Sequence, residues 1–485
     1  MNYFKSPKNL ILSILLLGLL FRIYQLETFY VFNHDQDLYS WIIKDILVDK
    51  HFRLIGQLTS IDGVFIGPLF YYMLVPFFAI FNLNPLAATI PVIIIGLATV
   101  YSFYWILSHL FDIETGLIAA FLYSISWANA FYDRWVVPTQ PTVLWSIWYL
   151  YAILMLAKGN FRVLPLLGIL LGLVWHIHIA LAPLAALIPI ALIFSKDKPA
   201  LKQFIQPIAL SLVFTIPFWG FEFRHNFQQI KGFLDSLSLR RGEAEGLFRA
   251  WIVVDNAARS LGGNLFFGIK LPFFAEYLLL GGLSIYLYIK KTQLRQLLYI
   301  SGLWILLIFL AQEVSKRGVS EYYFANIVPI AIAIFSLVIS QIYRQGIGKA
   351  LVKLSLLIFL VSNIFFVIKM PMAQDGYLEK LKLVDYIRND AKSKGYECIS
   401  INYIAQFGTD VGFRYLFWWR SIDLIRPGDN VPIYNIVIPW SVSGNEIDEK
   451  FGALGVILPK QGMPPSSSTC KDPNNELTPL LGFTR

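Results

Sequence analysis

Two carboxylates and an imidazole follow one another closely in His34-Asp35-Gln36-Asp37, directly after the first apolar run of a very hydrophobic chain. A carboxylate held beside a hydroxyl or amine can take its proton as that group attacks an electrophilic carbon. Gln36 cannot ionise, so acid–base work falls on Asp35, alone or with Asp37 or His34, and residue types do not choose between the two aspartates. Ionisable groups at a membrane exit are costly and tend to be kept where they are used. A structural reading competes. From Gln36 to Lys50 the apolar Leu38, Trp41, Ile42 and Ile46 alternate at helical spacing with Asp37, Lys44, Asp45 and Asp49, which describes a helix lying in the membrane interface. Asp35 sits at its start and could simply cap it. That explains one acid and not the cluster.

His176 and His178 are the second chemical candidate. A spacing of two puts their rings on different helix faces, so both could hold one divalent cation with the nearby carboxylates only if the chain breaks there. Otherwise one ring touches a substrate, or both satisfy polar neighbours at a helix junction. A divalent cation is the one cofactor the pattern admits, and the pattern does not require it.

These groups need a scaffold, and composition says which kind. Of 485 residues 56% are hydrophobic and 15% charged, against roughly 25% charged in a soluble domain, so the chain reads as an integral membrane protein. The excess of 40 basic over 31 acidic residues fits positive-inside loops better than a nucleic-acid surface. Lys5 and Lys8 before the run Leu10 to Phe21, with no small-residue cleavage site, read as a retained signal anchor with a cytoplasmic N-terminus. Apolar segments at 10–24, 65–82, 86–109, 115–131, 137–157, 163–177, 178–194, 204–220, 272–289, 296–311, 324–342 and 350–369 make twelve. Lys158 and Arg162, Lys196, Lys198 and Lys202, Lys290 to Arg295, and Arg344 with Lys349 and Lys353 all fall on the cytoplasmic side only if one early segment does not cross. The Tyr- and Pro-containing stretch 65–82, which carries Tyr71, is the candidate. Eleven crossings then leave the C-terminal region and the His34 to Asp37 cluster on one extracytoplasmic face, together with Tyr132-Asp133-Arg134, the His pair, the loop from Glu222 to Lys270, and Gln312 to Tyr323.

After Lys369 the composition turns polar. An amphipathic helix over 377–394, a strand over 397–402, an aromatic-rich helix over 409–420 and strands over 431–439 and 453–459 predict a small α/β domain at 371–460. The tail 461–485, with Pro464-Pro465-Ser466-Ser467-Ser468, predicts a flexible end. Cys398 and Cys470 are too few for a disulfide framework, but one bond is available to an extracytoplasmic region.

An acid in the first outer loop after Phe21-Arg22-Ile23-Tyr24, then Gly67-Pro68-Leu69-Phe70-Tyr71-Tyr72, Tyr132-Asp133-Arg134 with Pro138, and Glu321-Tyr322-Tyr323 before Pro329 together resemble the polytopic C-type glycosyltransferases. Within them the chain is similar to the dolichyl-phosphate-mannose protein mannosyltransferase and aminoarabinose transferase superfamily, over about residues 10–370. The resemblance implies transfer of a sugar, with inversion, from a polyprenyl-phosphate donor to a lipid, glycan or protein acceptor outside the cytoplasmic membrane. It makes Asp35 the base or the organiser of the acceptor, although many relatives carry Asp-Glu where this chain has Asp35-Gln36. The leaving group is then a lipid phosphate, so cations should gather near it: Arg134 beside Tyr132 first, Lys316 and Arg317 before Glu321 and Tyr322 second, and Arg240, Arg241 and Arg249 third. A lone interfacial arginine more often serves as a snorkelling anchor. Oligosaccharyltransferase-type relatives use a divalent ion, but Asp133 stands alone in the second outer loop, which weakens a metal site here.

The expected fold class is mainly α: a polytopic transmembrane bundle of about 11 to 13 helices over residues 1–370, whose first outer loop, 25–64, carries the chemistry, with the small extracytoplasmic α/β domain behind it. The rival reading, a transporter of polyprenyl-linked glycans, should show internal repeats and midplane ionisable groups, and the sequence shows neither.

Overall fold

The computed structural model describes residues 6–238, 246–265, 271–315, 318–371, 373–406, 408–428, 431–442, 444, 446–459 and 465–483. Each predicted apolar segment contains a helix. α1 (Pro7–Ile23) leads through one turn, α2 (Leu26–Phe29), to α3 (His34–Leu47) and α4 (Leu69–Ile80). There follow α5 (Thr89–Leu110), α6 (Ile113–Ile125), α7 (Trp127–Tyr132), α8 (Thr142–Ala157), α9 (Leu164–Ile177), α10 (Leu187–Phe194), α11 (Ile205–Phe214) and α12 (Ile216–Arg224). Then come α13 (Gln228–Ser238), α14 (Leu247–Leu265), α15 (Ala275–Lys290), α16 (Arg295–Ser315), α17 (Val328–Tyr343) and α18 (Gly348–Lys369). Proline sits in the first turn of α1, α9, α12 and α17, where its missing N–H costs nothing.

Four helical stretches, Pro85–Leu110, Thr292–Ser315, Glu321–Tyr343 and Gly348–Lys369, are each long and apolar enough to cross a membrane, and α11 with α12 makes a fifth across a 58° bend. The protein is a multi-pass membrane protein. Contacts at helix ends show which way the apolar helices run. At one end Arg344, after α17, bridges Asp112 and Glu114 at the start of α6, both at 2.7 Å. Gln296 of α16 donates to the Ala157 carbonyl of α8, and Tyr299 of α16 meets Tyr288 of α15 and stacks on Phe194 of α10. The basic clusters lie at this end. At the other end Tyr30 donates to the Pro85 carbonyl, Arg134 to that of Tyr24, Arg249 to that of Gln312, and the Trp127 amide to Asn363 of α18.

The 12 residues of α4 reach about 18 Å, short of a ~30 Å hydrocarbon core. Both of its ends lie at the second end of the bundle. The Leu69 amide meets His176 at the end of α9, while the Asn82 and Leu83 carbonyls accept from Trp419 and Tyr415 of the C-terminal domain. α4 therefore does not cross, as the distribution of basic loops required.

The C-terminal region holds α19 (Tyr377–Ser393), α20 (Arg414–Trp419), α21 (Ser467–Cys470) and five strands: β1 (Cys398–Ala405), β2 (Asp423–Leu424), β3 (Ile433–Ile438), β4 (Glu449–Phe451) and β5 (Leu454–Ile457). Sheet order is β2-β1-β3-β5-β4, with β1 parallel to β2 and β3, and β5 antiparallel to β3 and β4. The short edge strands β2 and β4 escape a periodicity reading. α20 begins later than the predicted 409 because Gly412 has φ +82°, and a Cβ there would collide with the Phe32 carbonyl.

One expectation is corrected. The tail is not loose over 465–483: Cys470 is bonded to Cys398, Glu476 bridges Ile425, and the Thr478 carbonyl accepts from Arg414. The α/β region also packs onto the bundle. One continuous core joins Tyr377, Leu383, Ile399, Phe413, Tyr415 and Tyr434 of this region to Phe32, Leu38, Ile42 of α3 and Tyr71, Phe78 of α4.

Both native cysteines are in the disulfide, so added cysteines report topology. Single cysteines at the exposed Lys50 and Lys158, which lie on either side of α4 in sequence, should react with a membrane-impermeant maleimide from opposite sides. Labelling of both positions from the same side would contradict the assignment of α4.

Candidate active site

The site starts from how α3 begins. Asn33 is its N-cap, and the Asn33 amide donates to Gln36 Oε1 at 3.0 Å, so the capping expected of Asp35 belongs to another residue. Gln36 Nε2 donates to the Val136 carbonyl at 3.0 Å, a bond that a glutamate could not make. Residues two apart on a helix point about 200° from each other, so Asp35 and Asp37 face opposite ways.

Asp37 faces the C-terminal region. It is 1% exposed and accepts from the Tyr415 amide at 2.8 Å and the Arg414 amide at 3.2 Å, capping α20. Beside it the buried Lys380 ammonium donates to the Phe32 and Val411 carbonyls, both at 2.8 Å. Burial pushes Asp37 up to about 6, against the opposing pull of the two amides and Lys380, and burial lowers Lys380 to about 8. His34 donates to or accepts nothing in the cavity: its Nε2 meets the Leu481 carbonyl of the tail at 2.9 Å. Neither residue lines the cavity.

Asp35 does. It opens on a cavity of about 510 Å³ and is the one carboxylate among the described residues that line it. One wall is a small hairpin, closed by pairing of Leu58 with Phe65 and by bonds between the Ile66 amide and the Gln57 carbonyl and between the Gly56 amide and the Ile66 carbonyl. Gln57, Thr59 and Ser60 bring polar groups from it. Trp135, Thr139, Trp175, His178, Tyr322 and Tyr323 form the opposite side, and Phe218, Phe233 and Leu234 add apolar surface. α13, part of the long outer loop, closes over it: Glu222 caps the helix through the Gln229 and Ile230 amides, and Gln229 Oε1 accepts from the Phe65 amide. Burial raises the Asp35 carboxyl above the usual range, opposed by the neighbouring His34 and Gln57.

The remaining candidates divide between cavity and scaffold. Asp133 is paired with Arg22 at 2.5 Å and accepts from Tyr123 at 2.8 Å, all three buried. Removing one partner of such a pair costs roughly 3–5 kcal/mol, which makes it a structural pin. Arg22 was legible only as part of a resemblance, and its role comes from the fold. Arg134 donates to the Tyr24 carbonyl and lies over the Phe29 and Phe131 rings, away from the cavity lining. Tyr132 stands behind Thr139, their hydroxyls 3.4 Å apart. His176 donates from Nε2 to the Phe214 carbonyl at 2.7 Å and accepts at Nδ1 from the Leu69 amide, which fixes it as a joint between α4, α9 and α11. His178 lines the cavity against Tyr323, ring centroids 4.9 Å apart. Tyr71 lies one layer behind, bonded to Gln57, while Tyr322 lines the cavity and Glu321 is exposed beside it. Arg249 ties α14 to α16. Lys316, Arg317, Arg240 and Arg241 lie outside the described residues. Among those described, no three His, Cys, Asp or Glu side chains come together as metal ligands, because His176 and Asp133 are committed elsewhere. Sequence reasoning missed Gln57, Thr59, Trp135, Trp175 and Gln229. Only Trp175, beside His176, carried any signal.

Comparisons with known proteins bear on the fold that carries this cavity. Residues 66–221 match the dolichyl-phosphate-mannose-protein mannosyltransferase family, a stretch from the end of the hairpin to α12 that leaves out α3. The crystal structure of ArnT from Cupriavidus metallidurans bound to undecaprenyl phosphate superposes with a TM-score of 0.60 at 10% identity, covering 94% of this chain and 99% of that one. The chain has the C-type glycosyltransferase fold. The same enzyme in the apo state gives a TM-score of 0.57 at 10% identity, over 92% of this chain and 97% of that one. The oligosaccharyltransferase of Archaeoglobus fulgidus in the apo form reaches 0.46 at 14% identity, over 87% of this chain and 64% of that one. No curated protein sequence matches this chain.

The split between the two aspartates has a pH signature. Because the folded value of Asp37, about 6, lies above its ordinary 3.8, the fold holds that proton more tightly than the unfolded chain does. Its contribution to stability is full below about pH 4 and lost as pH rises through about 6. In detergent, the melting temperature of the native chain minus that of Asp37→Asn should therefore fall between pH 4 and pH 7. A difference that stays flat would remove the argument.

Proposed function

We propose that this protein is an inverting glycosyltransferase that moves a sugar from a polyprenyl-phosphate carrier to a lipid, glycan or protein acceptor, with Asp35 as base. The observation that carries the reading is the cavity itself: a lone carboxylate in a largely apolar, aromatic-walled chamber at the end of a membrane bundle. Apolar walls suit a prenyl chain, and aromatic faces suit a sugar ring. The ArnT of similar fold is described as bound to undecaprenyl phosphate, a carrier of this class.

In this reading an acceptor hydroxyl or amine attacks the anomeric carbon and gives its proton to Asp35. The new bond forms as the anomeric carbon–phosphate oxygen bond breaks, and the electron pair leaves with the polyprenyl phosphate. A single displacement inverts the anomeric centre. Lys316 and Arg317, which directly precede the turn bearing Tyr322, and Arg240 and Arg241 between α13 and α14 are the cations assigned to the leaving phosphate. The face with the C-terminal domain is taken as extracytoplasmic, and the membrane as the cytoplasmic one. A disulfide at that face and basic loops at the opposite end both support this orientation.

Membranes containing the native chain should transfer radiolabelled sugar from at least one member of a panel of polyprenyl-phosphate sugars. Asp35→Asn, checked for folded expression, should lower the rate by roughly 10²–10⁴-fold, the usual worth of a general base, and Asp37→Asn should retain transfer. Full activity in Asp35→Asn would sink the base assignment, and no donor consumed by the native chain would sink the enzyme reading in favour of transport.

A further inference from the structure

Asp35 is held by groups that no catalytic pattern names. Gln57 sits on the hairpin strand facing it, and both line the cavity. The Tyr71 hydroxyl donates to Gln57 Oε1 at 3.1 Å and accepts from the Gln57 amide N–H, also at 3.1 Å. One residue thus occupies both the hydrogen and a lone pair of the tyrosine. Tyr71 is itself immobile: it is fully buried, and Gly56 lets the hairpin backbone close against its ring, where a Cβ would collide. With the amide oxygen committed to Tyr71, the NH₂ end of Gln57 is left to turn toward the cavity that Asp35 also lines.

We propose that Gln57 is the positioning residue of this site: anchored from behind by Tyr71, its amide donates to the ionised Asp35 carboxylate and fixes which oxygen faces the acceptor. The assignment rests on the reading of Asp35 as base. It gives the hairpin a task beyond walling the cavity, since the rigid chain Tyr71–Gln57–Asp35 carries the order of α4 into the reacting group. The other groups that bear on Asp35 are His34 on its own helix, Tyr71 of α4, and Tyr322 before α17, with His178 on the same cavity wall and Arg53 near Tyr71.

A donor to the charged form favours ionisation, so its loss should make Asp35 hold its proton to higher pH. The probe is N,N′-dicyclohexylcarbodiimide, which adds to protonated carboxyl groups in apolar surroundings and leaves an N-acylurea readable by peptide mass spectrometry. The protein is the full chain in detergent, with Asp35→Asn identifying the signal. In Gln57→Leu the midpoint of labelling against pH should move up by about one pH unit, a tenfold change in the protonation equilibrium. Tyr71→Phe keeps Gln57 but frees its amide, and should move the midpoint the same way by less. If Gln57→Leu does not fold, Tyr71→Phe carries the test. A folded variant whose midpoint equals the native one overturns the proposal, whatever its activity. Labelling does not depend on turnover. A shifted midpoint in a chain that transfers no sugar would therefore refute the enzyme reading and keep the pairing, while normal transfer with an unshifted midpoint would do the reverse.

Discussion

The site depends on one helix being gripped from both sides. α3 carries Asp35 toward the cavity and buries its opposite face in the C-terminal core, where the Asp37 carboxylate closes the open N-terminus of α20. Capping a six-residue helix from another element serves two ends at once: it satisfies amides that would otherwise be stranded, and it sets the rotation of α3. If α3 turned by one residue, about 100°, Asp35 would leave the cavity and Asp37 would lose both amides. The Gln36 bond to Val136 and the Lys380 bond to Phe32 fix the same rotation from two further directions.

This explains why a domain that contributes no cavity-lining residue among the described residues is built so firmly onto the bundle. The shared core gives it a mechanical role. A 14-residue interfacial helix has little to hold it in water or lipid alone. Here Phe32, Leu38 and Ile42 gain partners in α19, α20 and the sheet, and the tail adds a clasp at His34 that the disulfide anchors. The Arg22 to Asp133 pair does the corresponding work below, joining α1 to the segment after α7 so that Val136 is in place to receive Gln36.

Much of this was legible, and the boundary of legibility has physical causes. Hydropathy finds apolar helices because lipid forces every backbone group into an internal bond. The distribution of basic residues then singled out 65–82 as the candidate that does not cross, a reading that needs only the sign of the charges and that the contacts at both ends of α4 fit. The α/β elements followed from periodicity, apart from β2 and β4, too short to show one. What sequence could not supply was direction. Arg134 and Asp133 read as site residues because they are charged and lie near a membrane surface, but charges there are used as often to pin helices as to meet substrates. Gln57, Thr59 and Gln229 carry no charge and sit in unremarkable stretches, so only their arrival at one cavity gives them meaning.

The two polar pairs of this chain make the point most sharply. Asp35 and Asp37, and His176 and His178, are each separated by one residue. In a metal site or a carboxylate dyad such spacing would suggest joint action. On a helix it does the opposite, sending one side chain each way. Asp35 and Asp37 are split so on α3, whereas His178 stands in extended backbone just beyond the end of α9; in both pairs one member lines the cavity, Asp35 and His178, while Asp37 caps α20 and His176 joins α4, α9 and α11. At each position the scaffold member restrains the backbone that presents the functional one. A polar group two residues from a site residue is thus a means of holding it, and the chain uses that means at both walls of the same chamber.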